Sequence, residues 1–425
     1  MNQFAVDRLS VRNWPFRLDL LPNYAYMVGG AVRDAILGRI RDYLDLDFIV
    51  AGDAIQIAKQ IAKECKAGFV LLDAERDIAR VVFANATADF AKQDGDSLNS
   101  DLKRRDFTIN AIAYNPYNHQ FIDPLGGCQD IASGMLRMIS RDNLQNDPLR
   151  LMRAYRQAAQ LGFKIEPNTQ VAIRSLALEL SKVASERIRV EIGYLLSSNN
   201  GTFWLIKAWE DGLLTRFFQN SNYQSVQKLN AVEKAYILIS QKWEKLASEL
   251  QNHIRNTIKT SGLSIAKIAC LVNSKNLDLV ERELLQLTYS RVEIRAVITV
   301  LKLLPKITSV NNLINISIRE QYFLFQEISI LFPVVLILAI AENIIAQETP
   351  TEILPSYEPL VNRYLNCQDL VAHPHPLLSG NDIMKALQIP ASPKVGELLT
   401  EIAIAQGEGI INNLEEAIAY AAKLL

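Results

Sequence analysis

The chain has 425 residues, 45 Lys+Arg against 46 Asp+Glu, a formal net charge of −1 and 49% hydrophobic residues. Such a balance excludes intrinsic disorder, which needs low hydrophobicity and high net charge, and excludes a uniformly basic nucleic-acid coat. The length suffices for about two to four domains with sizeable cores.

The stretch up to Arg17 carries Asp7, Arg8, Arg12 and Trp14 and no apolar run, so it does not read as a signal peptide. Tyr26–Val28 and Asp45–Val50 are short strand-like runs, and Ala54–Ala67 has helical spacing through Ile57, Ala58, Ile61, Ala62 and Cys65. Val81–Ala84 and Thr87–Phe90 read as further strands around a turn at Asn85. Ile109–Tyr114 and Phe121–Ile122 close this half, before the turn Asp123-Pro-Leu-Gly-Gly127.

From about Asp147 the pattern becomes helical, over Pro148–Leu161, Thr169–Leu180, Glu186–Leu196 and Tyr236–Leu250, with no strand alternation of comparable strength. The most apolar stretch, Ile328–Ala341, has 14 residues. A membrane span needs about 20, so a buried core helix is expected and no membrane. Pro350–Pro359 reads as a linker, His373-Pro-His-Pro376 as a second break, and Gly380–Leu425 as a small helical tail. The four cysteines share no CxxC spacing, which points to free thiols and a cytoplasmic protein. The fold class is α+β: a mixed head of strands and helices, then an all-helical remainder.

The strongest chemical signal is Met27-Val-Gly-Gly-Ala-Val-Arg-Asp34 followed by Asp45-Leu-Asp47. Gly29 and Gly30 stand between a strand and a helix, where backbone N–H groups approach a phosphate, and Arg33 can add a charged fork. Asp45 and Asp47 are two apart in a strand and therefore share a face. Adjacent carboxylates repel unless a cation lies between them, and Mg²⁺ is the economical one; a solvated loop is the alternative. Asp89 is a candidate third acid, or an ordinary strand-end residue. Lys103, Arg104 and Arg105 offer charge to a triphosphate, and Asp106 and Asn110, four apart, would share a helical face able to hold a ribose. Arg150, Arg153 and Arg156 recur at steps of three on one helix, opened by Asp147, which can pair with Arg150. The run Glu186-Arg-Ile-Arg189 is placed to brace that face. Asp94–Asn99 does not fit a Ca²⁺ loop, and the four histidines form no metal pattern.

Together these residues resemble the class II tRNA nucleotidyltransferase and bacterial poly(A) polymerase family. The matching pieces are Gly29-Gly-Ala-Val-Arg-Asp34 with Asp45-Leu-Asp47, Arg104-Arg-Asp-Phe-Thr-Ile-Asn-Ala111, Asp123-Pro-Leu-Gly-Gly127, Asp147-Pro-Leu-Arg-Leu-Met-Arg153 and Glu186-Arg187. The resemblance implies a nucleotidyltransferase palm over residues 1–145 and a base-recognising neck over 146–215. A helical body over 216–349 and a linker with helical tail over 350–425 would follow. It implies Asp45 and Asp47 as catalytic Mg²⁺ ligands, Arg105 and Asp106 at triphosphate and ribose, and Asp147 with Arg150 pairing to the incoming base. The implied partners are the tRNA 3′ end and CTP, with ATP as the alternative nucleotide.

Two departures matter. Asn146 stands where the family commonly has Glu. Arg104 follows Asp47 by only 57 positions, and Asp89–Asp101 holds no Pro, Tyr or Arg. In the family, loss of a flexible loop here goes with adding CC without the terminal A, so a CC-adding enzyme is expected. Full CCA or A addition, or poly(A) synthesis, is the alternative. A non-catalytic RNA-binding protein would have broken acids, and both are present.

Charge is segregated along the chain. Residues 150–341 hold 24 Lys+Arg against 15 Asp+Glu, a net of +9, while residues 342–425 have 4 against 11 and a net of −7. The helical middle is therefore the expected RNA-phosphate surface.

Overall fold

The computed structural model describes residues 3–39, 43–255, 258–308, 316–347 and 349–425. The chain divides into two compact units, residues 1–213 and 214–425.

The first unit holds a seven-stranded sheet of β1 (Tyr26–Val28), β2 (Leu44–Val50), β3 (Gly68–Asp73), β4 (Ile78–Val82), β5 (Ala86–Lys92), β6 (Ala113–Tyr114) and β7 (Phe121–Ile122). Their order is β3-β4-β5-β2-β1-β6-β7. Only β2 and β5 run parallel, connected through the helix Ala54–Glu64 and the β3–β4 hairpin. Alternation along β2 explains its place. Leu46, Phe48 and Val50 are buried, while Asp45 and Asp47 take the opposite face. Below the sheet Phe48 stacks on Phe90 at 5.2 Å, and Trp14 and Phe16 close the cluster from the N-terminal segment.

Several elements differ from expectation. β3 was not foreseen, because Phe69-Val-Leu-Leu72 is a continuous apolar run without alternation; it is an edge strand with those side chains exposed. β4 begins earlier than Val81 and ends at Val82. Of Ile109–Tyr114 only the last two residues join the sheet, and Thr108–Asn110 form a tight helical turn. Short strands also occur at Met135–Leu136 with Lys164–Ile165, and at His253–Arg255 with Ile258–Ser261. Each is too brief to leave an alternating pattern.

The second unit is mainly helical. Its core helix, Phe332–Ile345, packs on Tyr223–Lys242, Gly262–Val272 and Arg291–Thr308. The apolar run Ile318–Ile345 is long enough to cross a membrane by length and composition, but the turn Ser329–Leu331 interrupts it, and Phe332–Ala341 are all buried in the protein. Trp243, at φ −133° and ψ 69°, splits the expected helix Tyr236–Leu250 in two. The expected linker Pro350–Pro359 is instead part of the helix Pro350–Leu365, started by a Thr349–Glu352 capping box. Pro355 and Pro359 sit on its exposed side, while Ile353, Tyr357, Leu360 and Val361 are buried. Packing of that face outweighs the two lost backbone hydrogen bonds. Leu378, Ile383, Val395, Leu398 and Ile402 begin a separate small core for the tail helices.

Phe48→Ala should cost about 3–5 kcal/mol in urea unfolding, as expected for a buried Phe. Leu71→Ala, on the exposed edge, should stay within about 0.5 kcal/mol of the parent chain.

Candidate active site

Val28 of β1 lies opposite Asp47 of β2, and the chain turns sharply at Gly29 into the helix Gly30–Ile36. Gly29 has φ +74°, and a Cβ there would lie 3.0 Å from Asp47 Oδ2 and 3.6 Å from an Arg105 nitrogen. Only glycine allows both the backbone angle and this close approach.

Register places the acids. Thr87 Oγ1 donates to Asp45 Oδ1 at 2.8 Å. Asp89 lies beside Asp47, but both of its oxygens accept from Arg80, at 2.6 and 2.7 Å. Asp89 is thus committed to Arg80, while Asp45 and Asp47 share one cleft. Burial, with the charge of Asp45 second, pushes the Asp47 carboxyl up to about 7. Carboxylate oxygens are hard ligands, and a cation between them would relieve that penalty, so the pair fits a Mg²⁺-type ion. Among the described residues no group of three His, Cys, Asp or Glu side chains converges as a metal site. An ion held by these two would complete its shell from water and phosphate oxygens.

The cleft encloses about 660 Å³. Its walls bring together Gly29, Gly30, Arg33, Asp45, Asp47, Arg105, Asp106, Asn110, Arg153 and Arg156 from distant parts of the chain. Asp89, Arg104, Asp147 and Arg150 lie outside those walls.

A buried polar network forms the floor. Asp106 accepts from Arg153 at 3.0 and 2.9 Å and from Asn110 at 2.9 Å. Arg33 donates to Asp34 at 2.9 and 2.8 Å, to Asn110 at 2.7 Å and to Gln157 at 3.4 Å. Gln157 accepts from Asn110 at 2.9 Å and donates to Asp106 at 3.3 Å. Burial alone would raise the Asp106 pKa. The charge of Arg153, with hydrogen bonds from Asn110, Arg153 and the Phe107 N–H, outweighs it and holds the carboxyl well below its usual range. Asp106 and Asn110 therefore spend much of their hydrogen-bonding capacity on each other and on the arginine helix, Leu149–Leu161. Gln157 escaped the sequence reading; its signal was its place four residues after Arg153, on the same helical stripe.

The arginine helix holds its other cations through partners. Arg156 bonds Glu191 at 2.6 Å and lies 5.4 Å from the Tyr194 ring centroid. Arg150 donates to the carbonyls of Arg104 at 2.8 Å and Asn143 at 3.1 Å, and lies 3.8 Å from Asp147. Arg187 lies 3.9 Å from the other oxygen of Asp147, bracing that pair. Arg104 pairs with Asp94 at the surface. Arg105 reaches Asp101 at 3.5 Å and its charge acts on Asp47. Asn143, also missed, clamps the charged turn by donating to the carbonyls of Lys103 at 2.7 Å and Arg105 at 2.8 Å. Asp123 caps the helix Gly127–Ser133 through two backbone N–H groups, at 2.7 and 2.8 Å. The Asp-Pro-Leu-Gly-Gly motif is thus architectural.

An Asp47 pKa near 7, against 3.8 for the ordinary group, means the folded state holds that proton more tightly than the unfolded chain. Without a divalent cation, stability at this site therefore falls as pH rises from about 4 to about 7. In EDTA at pH 8, Asp47→Asn should melt above the parent chain. By pH 4.5 the gap should shrink. An equal gap at both values would refute the burial argument.

Three family models match this chain: the poly A polymerase head domain at residues 25–97 and 83–137, the RNA- and SrmB-binding site of polymerase A at 162–223, and tRNA nucleotidyltransferase domain 2 at 256–422. The CC-adding tRNA nucleotidyltransferase of Synechocystis sp. is 44% identical over 410 residues, covering 96% of each chain. That of Geobacter sulfurreducens is 30% identical over 411 residues, covering 94% of this chain and 91% of the relative. The Thermotoga maritima CCA-adding enzyme complexed with tRNA superposes with a TM-score of 0.71 over 94% of this chain and 91% of that one; at 20% identity this is a likeness of fold. Near end-to-end identity to an enzyme, joined to an intact acid pair, carries the assignment further than fold: the chain belongs to the tRNA nucleotidyltransferase family and is an enzyme of that kind.

Proposed function

We propose that this enzyme transfers CMP from CTP, twice, to the 3′ end of tRNA, with Mg²⁺ held by Asp45 and Asp47. The observation that carries the reading is the acid pair set against Gly29 in a cleft walled by guanidinium groups. When bound, Mg²⁺ supplies Lewis acidity toward the hydroxyl and the phosphates. In each transfer the O3′–H bond breaks and O3′ bonds to the α-phosphorus. The bridge to the β-phosphate breaks, pyrophosphate departs, and the hydroxyl proton passes to solvent. Arg105, Arg153 and Arg156 line the cleft and favour the polyphosphate by charge. Asp147 and Arg150, held by Arg187, Asn143 and the Arg104 carbonyl, are proposed to read the base edge. Residues 146–215 then serve as the neck, and the basic middle of the chain meets RNA phosphates. None of the four cysteines is joined in a disulfide.

The choice of CC over CCA rests on loop length. Between Asp47 and Arg104 the longest segment outside helices and strands is residues 93–97. Asp94 there is tied down by Arg104 and by its own N–H to Asp101 at 2.9 Å. Two relatives named as CC-adding support the same choice.

Asp45→Ala or Asp47→Ala should lower nucleotide addition about 100–1000-fold, the order seen when a group stabilising transition-state charge is removed. Far-UV circular dichroism should stay unchanged. Substantial activity in either variant would sink the metal assignment. With tRNA lacking its last three nucleotides and both CTP and ATP present, addition should stop after two C residues. Efficient addition of A would make it a CCA enzyme, and A tails on arbitrary RNA a poly(A) polymerase.

A further inference from the structure

Asp47 belongs to a row of cross-strand neighbours. It lies in register with Asp89 of β5, and Asp89 lies in register with Arg80 of β4. Residues opposed in this way point to one face of a sheet, so the row runs guanidinium, carboxylate, carboxylate on the face that carries the acid pair. The neighbouring row sets Thr87 beside Asp45, and there the neighbour is neutral and donates to the acid at 2.8 Å. β5 therefore offers a hydroxyl to one acid and a negative charge to the other.

That charge is cancelled where it stands. Arg80 donates to both oxygens of Asp89, through Nε at 2.6 Å and through a terminal nitrogen at 2.7 Å. A forked pair of this kind fixes the direction of the carboxylate as well as neutralising it. The charges of Asp89 and Arg80 both act on Asp47, with opposite sign.

The strand position of Asp89 is that of a third acid beside Asp47, and its guanidinium partner is what withdraws it. We infer that Arg80 is a positioning residue that holds the cation site to two carboxylates, and by withholding Asp89 sets how tightly a divalent ion binds. With two acids, an ion depends on phosphate oxygens of the nucleotide for more of its shell. This rests on the metal site proposed above and adds the residue that limits its charge.

The test uses Mn²⁺ as the probe, titrated into the full chain without nucleotide, with free Mn²⁺ read by electron paramagnetic resonance. Arg80→Gln releases the Asp89 charge and should tighten Mn²⁺ binding about tenfold, a modest effect for so near a charge because both side chains are partly exposed. Asp89→Asn leaves the Arg80 guanidinium unpaired beside Asp47 and should weaken binding about tenfold. The double variant should return close to the parent, and Arg80→Lys should stay there. In EDTA, Arg80→Gln should melt below the parent, yet gain more from Mn²⁺ than the parent does. An ion pair with a merely structural role would lower both melting temperatures alike. Unchanged Mn²⁺ affinity in Arg80→Gln, or shifts of the same sign in the two single variants, would overturn the inference. Asp45→Ala separates this from the metal assignment. If that variant loses the ion and Arg80→Gln binds as the parent does, only the inference falls. If the parent binds no Mn²⁺, or Asp45→Ala binds it equally, the metal assignment falls and takes the inference with it.

Discussion

The buried carboxylate of Asp106 is the point on which the site depends. Removing a charge from water is expensive unless partners replace the lost hydration. Here Arg153, Asn110 and Gln157 supply them, and Asn110 and Gln157 pass the network on to Arg33. The helix after the glycine turn, the charged turn after β5 and the arginine helix are locked by one set of hydrogen bonds. Breaking a buried pair of this kind typically costs about 3–5 kcal/mol, because the remaining charge stays buried and alone. The network thus fixes the helix after the glycine turn against the helix bearing the arginines.

A second constraint acts in the opposite sense. Asp45 and Asp47 sit on one face of β2, with Gly29 pressed against the second, and the fold does not neutralise them as it does Asp106. Arg80 could have served, but it is paired with Asp89. The fold leaves Asp47 poised near neutrality. A cation held between the two acids, as proposed above, would offset that penalty. The contrast between Asp106, neutralised by Arg153, and Asp47, raised by burial beside Asp45, separates scaffold from chemistry.

Much of this was legible in the order of residues. The Gly-Gly turn, the i/i+2 acids and the arginines at steps of three are local patterns, and local geometry alone puts them on a turn, a strand face and a helix face. Asp89 shows where that reasoning stops. It lies in register with Asp47, as a third ligand would, but its neighbour across the sheet is Arg80. Arg33 likewise reads as a phosphate fork and is found buried, bound to Asp34, Asn110 and Gln157. Gln157 and Asn143 left no signal beyond their helical positions, because an amide shows its role only through the atoms it bonds. Pro350–Pro359 misled for a related reason: proline content signals a break, and only packing of Ile353, Tyr357 and Leu360 reveals a helix.

By itself the amino-acid order determined the α+β head, the helical remainder, the acid pair and the family. These follow from short-range periodicity and from motifs whose spacing is their meaning. Tertiary structure decided which charges are spent internally and which face the cleft. It tied Asp89 to Arg80, Asp106 to Arg153 and Arg150 to backbone carbonyls. The reason is physical: a side chain's charge is a local property, but its free energy depends on neighbours that can arrive from far along the chain, as Arg33 and Gln157 do across a separation of 124.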